Sequence, residues 1–278
     1  MMLNACFDLQ YSPPTYDSVS FVLAAELERI KRGCEALTIH ILPGPKGGFR
    51  LDKLPPFTIE ERQHMRDKIV VPMARLLPSC VECVVRNDRV KPENGFGYGE
   101  SKYSLPFLLQ AARQNVYPLR AEPKQDGSYV TITLRETQYW PTRNSNLNEW
   151  LRVAIWLREQ GHRVIVVRDT ERANAKFGDF ESSPHASRDL LTRASLYAGA
   201  RLNLFVNNGP AWLCLFMAAP CLIFKLTSPA APCTNDEYFA SAGFRRGESW
   251  PNLKPRQLVS WMPDHTEHII AAIKNIEL

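Results

Sequence analysis

Short runs of aliphatic and β-branched residues alternate along this chain with longer segments whose apolar positions recur every three or four residues. The first pattern predicts buried strands and the second predicts amphipathic helices. Residues 4–9 read as a strand and residues 10–17 as a loop. Residues 18–32 read as a helix whose apolar stripe is Phe21, Leu23, Ala24, Leu27 and Ile30. Asp17 or Ser18 stands where a cap is expected, and Gly33 stands at the stop. Residues 37–42 form the next strand, closed by Pro43, Gly44 and Pro45. Residues 58–77 read as a second helix, with Glu60 and Glu61 in its first turn and a kink at Pro72. A strand at residues 80–85 follows. Residues 86–127 are irregular, with a glycine-rich loop at 95–99, a short helix at 106–114 and a turn at 125–127.

The second half is more regular. A strand at residues 129–134 leads into a polar loop at 135–145 and a helix at 146–160 that Gly161 ends. A strand (162–167), a helix (187–198), a strand (200–206), a helix (210–218) and a strand (221–224) follow, and a helix at 264–276 closes the chain. Repeated strand–helix alternation predicts parallel sheets covered by helices. The expected fold class is therefore α/β, with two compact, Rossmann-like, doubly wound domains. The boundary is placed in residues 117–127, giving an N-terminal domain of residues 1–122 and a C-terminal domain of residues 123–278.

Composition narrows the function classes. At 278 residues, 45% apolar and 23% charged, the chain has the make-up of a globular protein. The formal charge of +5 is spread along the sequence, so no nucleic-acid-binding tail is expected. A mild basic excess suits an anionic small ligand such as a nucleotide diphosphate, and solubility explains it equally well. Of the seven cysteines, Cys6, Cys34, Cys214 and Cys221 lie in apolar surroundings and read as buried free thiols. Cys80 and Cys83 form a lone CxxC pair without the second pair that a structural zinc site needs. Neither metal nor cofactor is expected. Residues 202–224 are the most hydrophobic stretch, but Asn207, Asn208, Gly209, Pro210 and Pro220 interrupt it. A membrane span is not expected there, although peripheral association with a membrane stays open. The start of the chain lacks a basic n-region and a long apolar core, which points to the cytoplasm.

Two loops could carry chemistry. In residues 204–212 a strand runs through Asn207 and Asn208 into a Gly209-Pro210 step and a helix. Proline suits a first helical turn, glycine permits close backbone approach, and a helix N-terminus favours an anion. The same pattern also describes an ordinary βα turn. Arg135 directly follows a strand, so it lies at the ligand-binding edge of its sheet, and Arg143 shares its loop. Guanidinium groups there could clamp a diphosphate, or could be surface arginines paired with Glu136 or Glu149. Residues 46–50 form a Gly-rich segment that reads as a mobile loop on the acceptor side. His40 reads as a packed strand side chain. His265 and His268 lie one turn apart without a third ligand nearby, and read as a solvated helix face.

The segment Tyr139-Trp-Pro-Thr-Arg-Asn-Ser-Asn-Leu-Asn-Glu-Trp150, the helix and strand after it, and residues 194–224 with Asn207-Asn-Gly-Pro-Ala-Trp212 resemble one enzyme family. They are similar to the ADP-heptose lipopolysaccharide heptosyltransferases, in which a Lys-x-Trp-Pro loop and an Asp-Thr-Gly-x-x-His loop occupy these places. The resemblance covers residues 128–225. It implies a GT-B glycosyltransferase that is metal-independent and takes a sugar from a nucleotide diphosphate sugar to a glycan or other acceptor. It implies that Asn207, Asn208 and Gly209 occupy the diphosphate loop, with Pro210 opening its helix. The chain departs from the pattern at three places. Asn207 or Asn208 replaces the Asp, Trp212 replaces the His, and Tyr139 or Gln138 replaces the Lys. Arg135 and Arg143 would supply the missing positive charge. An inverting transfer needs a base, which in this class commonly comes from the N-terminal domain. Asp8 and Asp17 are the candidates, and Asp17 is more simply a helix cap. A nucleotide-sugar epimerase of the same fold, or a non-catalytic relative acting as a binding partner in surface-glycan synthesis, are the alternatives.

Overall fold

A computed structural model describes residues 1–51, 57–93, 95–97, 105–123 and 127–276, in two compact units, Met1–Arg120 and Ala121–Leu278. In the first unit the alternation of Leu3, Ala5 and Phe7 builds strand β1 (Met2–Asp8), whose inward side chains are buried. Helix α1 (Ser18–Lys31) lays Phe21 against Phe7, ring centroids 5.1 Å apart. Strand β2 (Ala36–Leu42), helix α2 (Ile59–Met65), helix α3 (Val71–Arg75), strand β3 (Cys80–Val85), strand β4 (Phe96–Gly97) and helix α4 (Leu105–Arg113) follow. The strands pair in the order β3-β2-β1-β4, all parallel.

Four expectations change here. The helix expected at 58–77 is opened between α2 and α3 by a π-helical turn, Arg66–Val70. Pro72, two residues past this turn, has no N–H to donate and crowds the preceding turn, which the wider turn relieves. Within the glycine-rich segment 95–99, Phe96 and Gly97 form a fourth strand beside Ala5 and Cys6 rather than a loop. Residues 98 and 99 lie outside the described residues, as do 52–56 of the loop after β2 and Gln125 and Asp126 of the expected turn. The loop at 43–51 is tied by bridges from Gly44 to Gly48 and from Lys46 to Phe49, and Phe49 is fully buried. A Cβ on Gly44 would lie 2.4 Å from the Phe49 backbone, so only glycine fits. Asp17 occupies the N-cap position of α1 but makes no side-chain cap.

His40 is buried in β2, its Nε2 3.0 Å from Asn4 Oδ1. All seven cysteines are free thiols, and Cys6, Cys34, Cys214 and Cys221 are buried as expected. Burial pushes the Cys83 thiol up to about 12, so the CxxC pair on edge strand β3 is not a reactive thiolate.

Glu26 on α1 is 6% exposed and accepts from Arg29 Nε at 2.7 Å and Ser79 Oγ at 2.6 Å. Burial acts to raise its pKa, but the Arg29 and Ser79 hydrogen bonds outweigh it and leave the carboxyl below its ordinary value. Its stabilisation is therefore complete above the unfolded-state pKa and is lost as pH falls through the folded-state one. Urea unfolding of wild type and Glu26→Gln from about pH 7 to about pH 3 should show a difference that narrows towards the acid end. A difference that is flat or widens on acidification would contradict this.

The second unit begins at strand β5 (Tyr129–Thr133) and continues through α5 (Leu147–Glu159), β6 (Arg163–Val167), β7 (Glu181–Ser182), α6 (Pro184–Arg188) and α7 (Leu190–Ala198). Strand β8 (Leu202–Val206), α8 (Gly209–Phe216), β9 (Cys221–Phe224), α9 (Asp236–Ser241), β10 (Gln257–Val259) and α10 (Thr266–Asn275) complete it. The six strands are all parallel, in the order β10-β9-β8-β5-β6-β7. Val130, Ile132 and Leu134 face one core with Trp150, Val153, Leu157, Ile269 and Ile273, so α5 and α10 cover that side. Tyr129 and Thr133 point the other way, to Leu196 and Tyr197 of α7. The period-two alternation of β5 thus feeds two helical layers, as a doubly wound sheet requires.

The helix expected at 187–198 is two helices. Asp189 is extended between them and caps α7, accepting from Thr192 N at 2.9 Å. Strands β7 and β10 and helix α9 are too short for periodicity to reveal.

Candidate functional site

In the second unit the chain enters mid-sheet at β5, winds outward through β6 and β7, then returns to β8 on the other side of β5. The order reverses between β5 and β8, and ligands of open α/β sheets bind beyond the carboxyl ends of the strands at such a reversal. The residues just past those ends are Arg135 and Asn207.

Arg135 is 7% exposed and bends the following loop around itself. Its Nη1 donates to Trp140 O at 3.1 Å and to Asn144 Oδ1, and its Nη2 donates to Tyr139 O at 2.5 Å. Trp140 adopts a left-handed φ of 51° and leaves its side chain 40% exposed. A short 3-10 turn, Pro141–Arg143, follows. Arg143 then reaches across the reversal. Its Nη2 donates to Asn207 O at 3.3 Å, and its Nη1 lies 3.7 Å from Cys233 Sγ. The buried Arg143 Nε has no hydrogen-bond partner.

The two loops singled out by sequence are therefore in contact. Neither arginine pairs with Glu136 or Glu149. Glu136 is held by Arg168, with Nε to Oε2 at 2.7 Å, and Glu149 accepts from Arg152 and Thr266. Among the described residues neither Arg135 nor Arg143 forms an ion pair with a carboxylate. Burial, and then the adjacent Arg143 charge, pull the Arg135 guanidinium down to about 10. Arg135 remains cationic at neutral pH, and the two guanidinium groups repel each other, so the site favours an anion.

The helix start offers less than its sequence suggested. Asn208 caps α8 itself, its Oδ1 accepting from Ala211 N at 2.9 Å. Pro210 has no N–H, so the first turn has few donors left for a ligand beyond Gly209. Asn207 and Trp212 satisfy one another, Trp212 Nε1 donating to Asn207 Oδ1 at 3.1 Å, while Asn207 Nδ2 donates to Leu226 O. Trp212 also packs on Trp250, centroids 4.8 Å apart.

Three contributors were not foreseen. Lys225 directly follows β9 and donates to Asn144 O at 2.7 Å, and Ser228 Oγ donates to Thr142 Oγ1 at 2.9 Å. Asp264 accepts from Asn146 N at 2.7 Å and Trp150 Nε1 at 3.0 Å, and lies 3.6 Å from Lys225 Nζ. Lys225 obeys the same carboxyl-end rule that flagged Arg135. Asp264 had no local signal beyond standing at a helix start. Beside Arg135 is a pocket of ≈ 380 Å³ lined by Glu136, Asn144, Ser145, Arg168 and Arg172.

The chain superposes on the E. coli heptosyltransferase WaaC, solved with ADP, at a TM-score of 0.50 and 14% identity, covering 99% of this chain and all (100%) of that one. It is folded like a heptosyltransferase. The iron-containing dodecameric glycosyltransferase TibC from enterotoxigenic E. coli superposes at a TM-score of 0.51 and 15% identity, covering 92% of this chain and 61% of TibC. No protein-family model and no curated protein matches the sequence. At these identities the likeness to the heptosyltransferases is one of fold.

Asp8 and Asp17 belong to the first unit. Asp8 ends β1 and is 1% exposed. Arg89 grips both of its oxygens, Nη1 to Oδ1 at 2.9 Å and Nη2 to Oδ2 at 2.7 Å, and Gln10 N adds a third bond. Asp8 also stands where that sheet reverses, between β1 and β4. Asp17 is exposed at the start of α1. No helix among the described residues is long and apolar enough to cross a membrane.

Proposed function

We propose that the chain is a glycosyltransferase of GT-B type whose C-terminal domain, residues 123–278, binds a nucleotide diphosphate sugar. The observation that carries this reading is the pair of arginines at the β5/β8 reversal, which among the described residues form no ion pair with a carboxylate. Asp169 lies near Arg135 without pairing with it, so a diphosphate would supply the missing direct partner, and the same charge develops on the leaving group during transfer. Arg135 sets the loop, Arg143 meets the phosphates, and the Asn208-Gly209 helix start adds a backbone donor. Asp8 is the proposed base and Asp17 the reserve, with Arg89 needing to release Asp8 before it takes a proton from an acceptor hydroxyl. The acceptor would be a glycan or another hydroxyl compound, and the setting cytoplasmic.

A second reading has its own support. Trp212, in the place of the family's His, is tied to Asn207, while Asn208, the other residue in the place of its Asp, caps α8, and Asp8 is fully engaged. That favours a relative that binds nucleotide sugars in surface-glycan synthesis without chemistry. An epimerase would need no acceptor.

Calorimetric titration with ADP-, GDP-, UDP- and CDP-sugars tests the common claim. Binding of at least one, weakened in Arg135→Ala, is expected. No binding to any of them would sink it. Analysis of products with and without acceptor then separates transfer, epimerisation and binding alone.

A further inference from the structure

We propose that His265, Glu267 and His268, at the start of α10, form a binding site for one divalent first-row transition ion, zinc being the simplest occupant. The two histidines alone read as a solvated helix face, but Glu267 supplies a third ligand. One donor atom from each residue lies within 4.8 Å of the others. His265 Nδ1 and Glu267 Oε1 are 3.7 Å apart. Two ligands on a tetrahedral zinc ion, each about 2.1 Å from it, are separated by roughly 3.4 Å, so this edge already has nearly the right length.

A separate observation orients the second imidazole. His268 Nδ1 lies 3.3 Å from Pro263 O, an atom that can only accept. The proton therefore belongs on Nδ1, and Nε2 keeps its lone pair for a metal. A ring N–H donated to a backbone carbonyl is the usual support of a metal-bound histidine. The two rings stand side by side, 5.5 Å between centroids and 10° between planes, so one imidazole must tilt out of the stack to bring both in-plane lone pairs onto one ion. The side chains of His265 and Glu267 are 49% and 71% exposed, which leaves them free to turn.

A helix N-terminus disfavours a cation. Here Glu267 opposes that effect, and so does Glu149, whose Oε2 accepts from Thr266 N at 2.8 Å and Thr266 Oγ1 at 2.6 Å. Two imidazoles and one carboxylate suit zinc, nickel or copper better than magnesium or calcium. The ion would clamp the start of α10 next to Asp264, tightening the residue that holds Asn146 and Trp150.

The test is calorimetric titration of zinc chloride into the full chain, free of any histidine tag and treated with a chelator, beside a thermal melt. Binding of about one ion per chain and a raised Tm are expected. His265→Ala and His268→Ala should each weaken binding by roughly tenfold or more, comparable to the loss when a metal site is loosened. A Cys80→Ser/Cys83→Ser variant should bind as wild type. Circular dichroism checks that each variant is folded. Absence of binding, unchanged affinity in the His265→Ala/His268→Ala double variant, or a loss confined to the cysteine variant would overturn the proposal.

Discussion

Asp264→Ala is expected to destabilise the second unit by about 3 kcal/mol, from one buried donor left without its partner and a second bond lost. Asp264 is 2% exposed, and its Oδ2 accepts from both Asn146 N and Trp150 Nε1. Removing the carboxylate strands the buried Trp150 Nε1, at about 1–3 kcal/mol, and removes a bond worth about 1 kcal/mol from Asn146 N, which water can reach. The lost attraction to Lys225 adds less, because Nζ is 3.6 Å away and keeps its hydrogen bond to Asn144 O. Asp264→Asn keeps an acceptor and should lose roughly half as much. The change is read as a shift in urea midpoint at constant slope. A loss below about 1 kcal/mol for Asp264→Ala would show that water or a repacked loop replaces the carboxylate. Lys225 also holds Asn144 O, so the variant should loosen the loop around Arg135.

Arg143→Ala is expected to weaken nucleoside diphosphate binding by roughly 10- to 150-fold, the worth of a hydrogen bond to a charged group. Its stability should change little, because the bonds to Asn207 O and Cys233 Sγ are long and Nε has none. This makes it a cleaner probe than Arg135→Ala, which also frees the carbonyls of Tyr139 and Trp140. Arg143→Lys keeps the charge but not the planar fork, and should fall between the two. Raising salt should weaken wild-type binding more than that of Arg143→Ala, since the variant has less charge to screen. ADP affinity equal to wild type in Arg143→Ala would remove this residue from the site.

Much of the scaffold was legible because strands and long helices announce themselves by period. The alternation in 129–134 and the stripe of α1 each reflect a face that must be buried. What was missed is short or non-local. Strand β4 has two residues and takes its identity from Ala5 and Cys6, about ninety positions earlier. The break between α6 and α7 depends on one extended residue, Asp189, inside an otherwise helical pattern. The π turn before Pro72 is a choice among ways of relieving a proline, and periodicity does not rank them.

The sequence by itself determined that this protein is α/β, and that Arg135 and the Asn207–Gly209 step lie at the carboxyl ends of strands. Both follow from local rules, since periodicity and chain direction do not depend on which strand pairs with which. Only the tertiary structure decided that β5 and β8 are neighbours across the reversal of strand order. That pairing brings Arg143 to the Asn207 carbonyl. Among the described residues it leaves both arginines without a carboxylate in ion-pair reach while Glu136 and Glu149 serve other partners, and lets Asn207 and Trp212 satisfy each other. Charge pairing falls off over a few ångströms, so it is settled by distances between residues far apart in the chain, which no local pattern records.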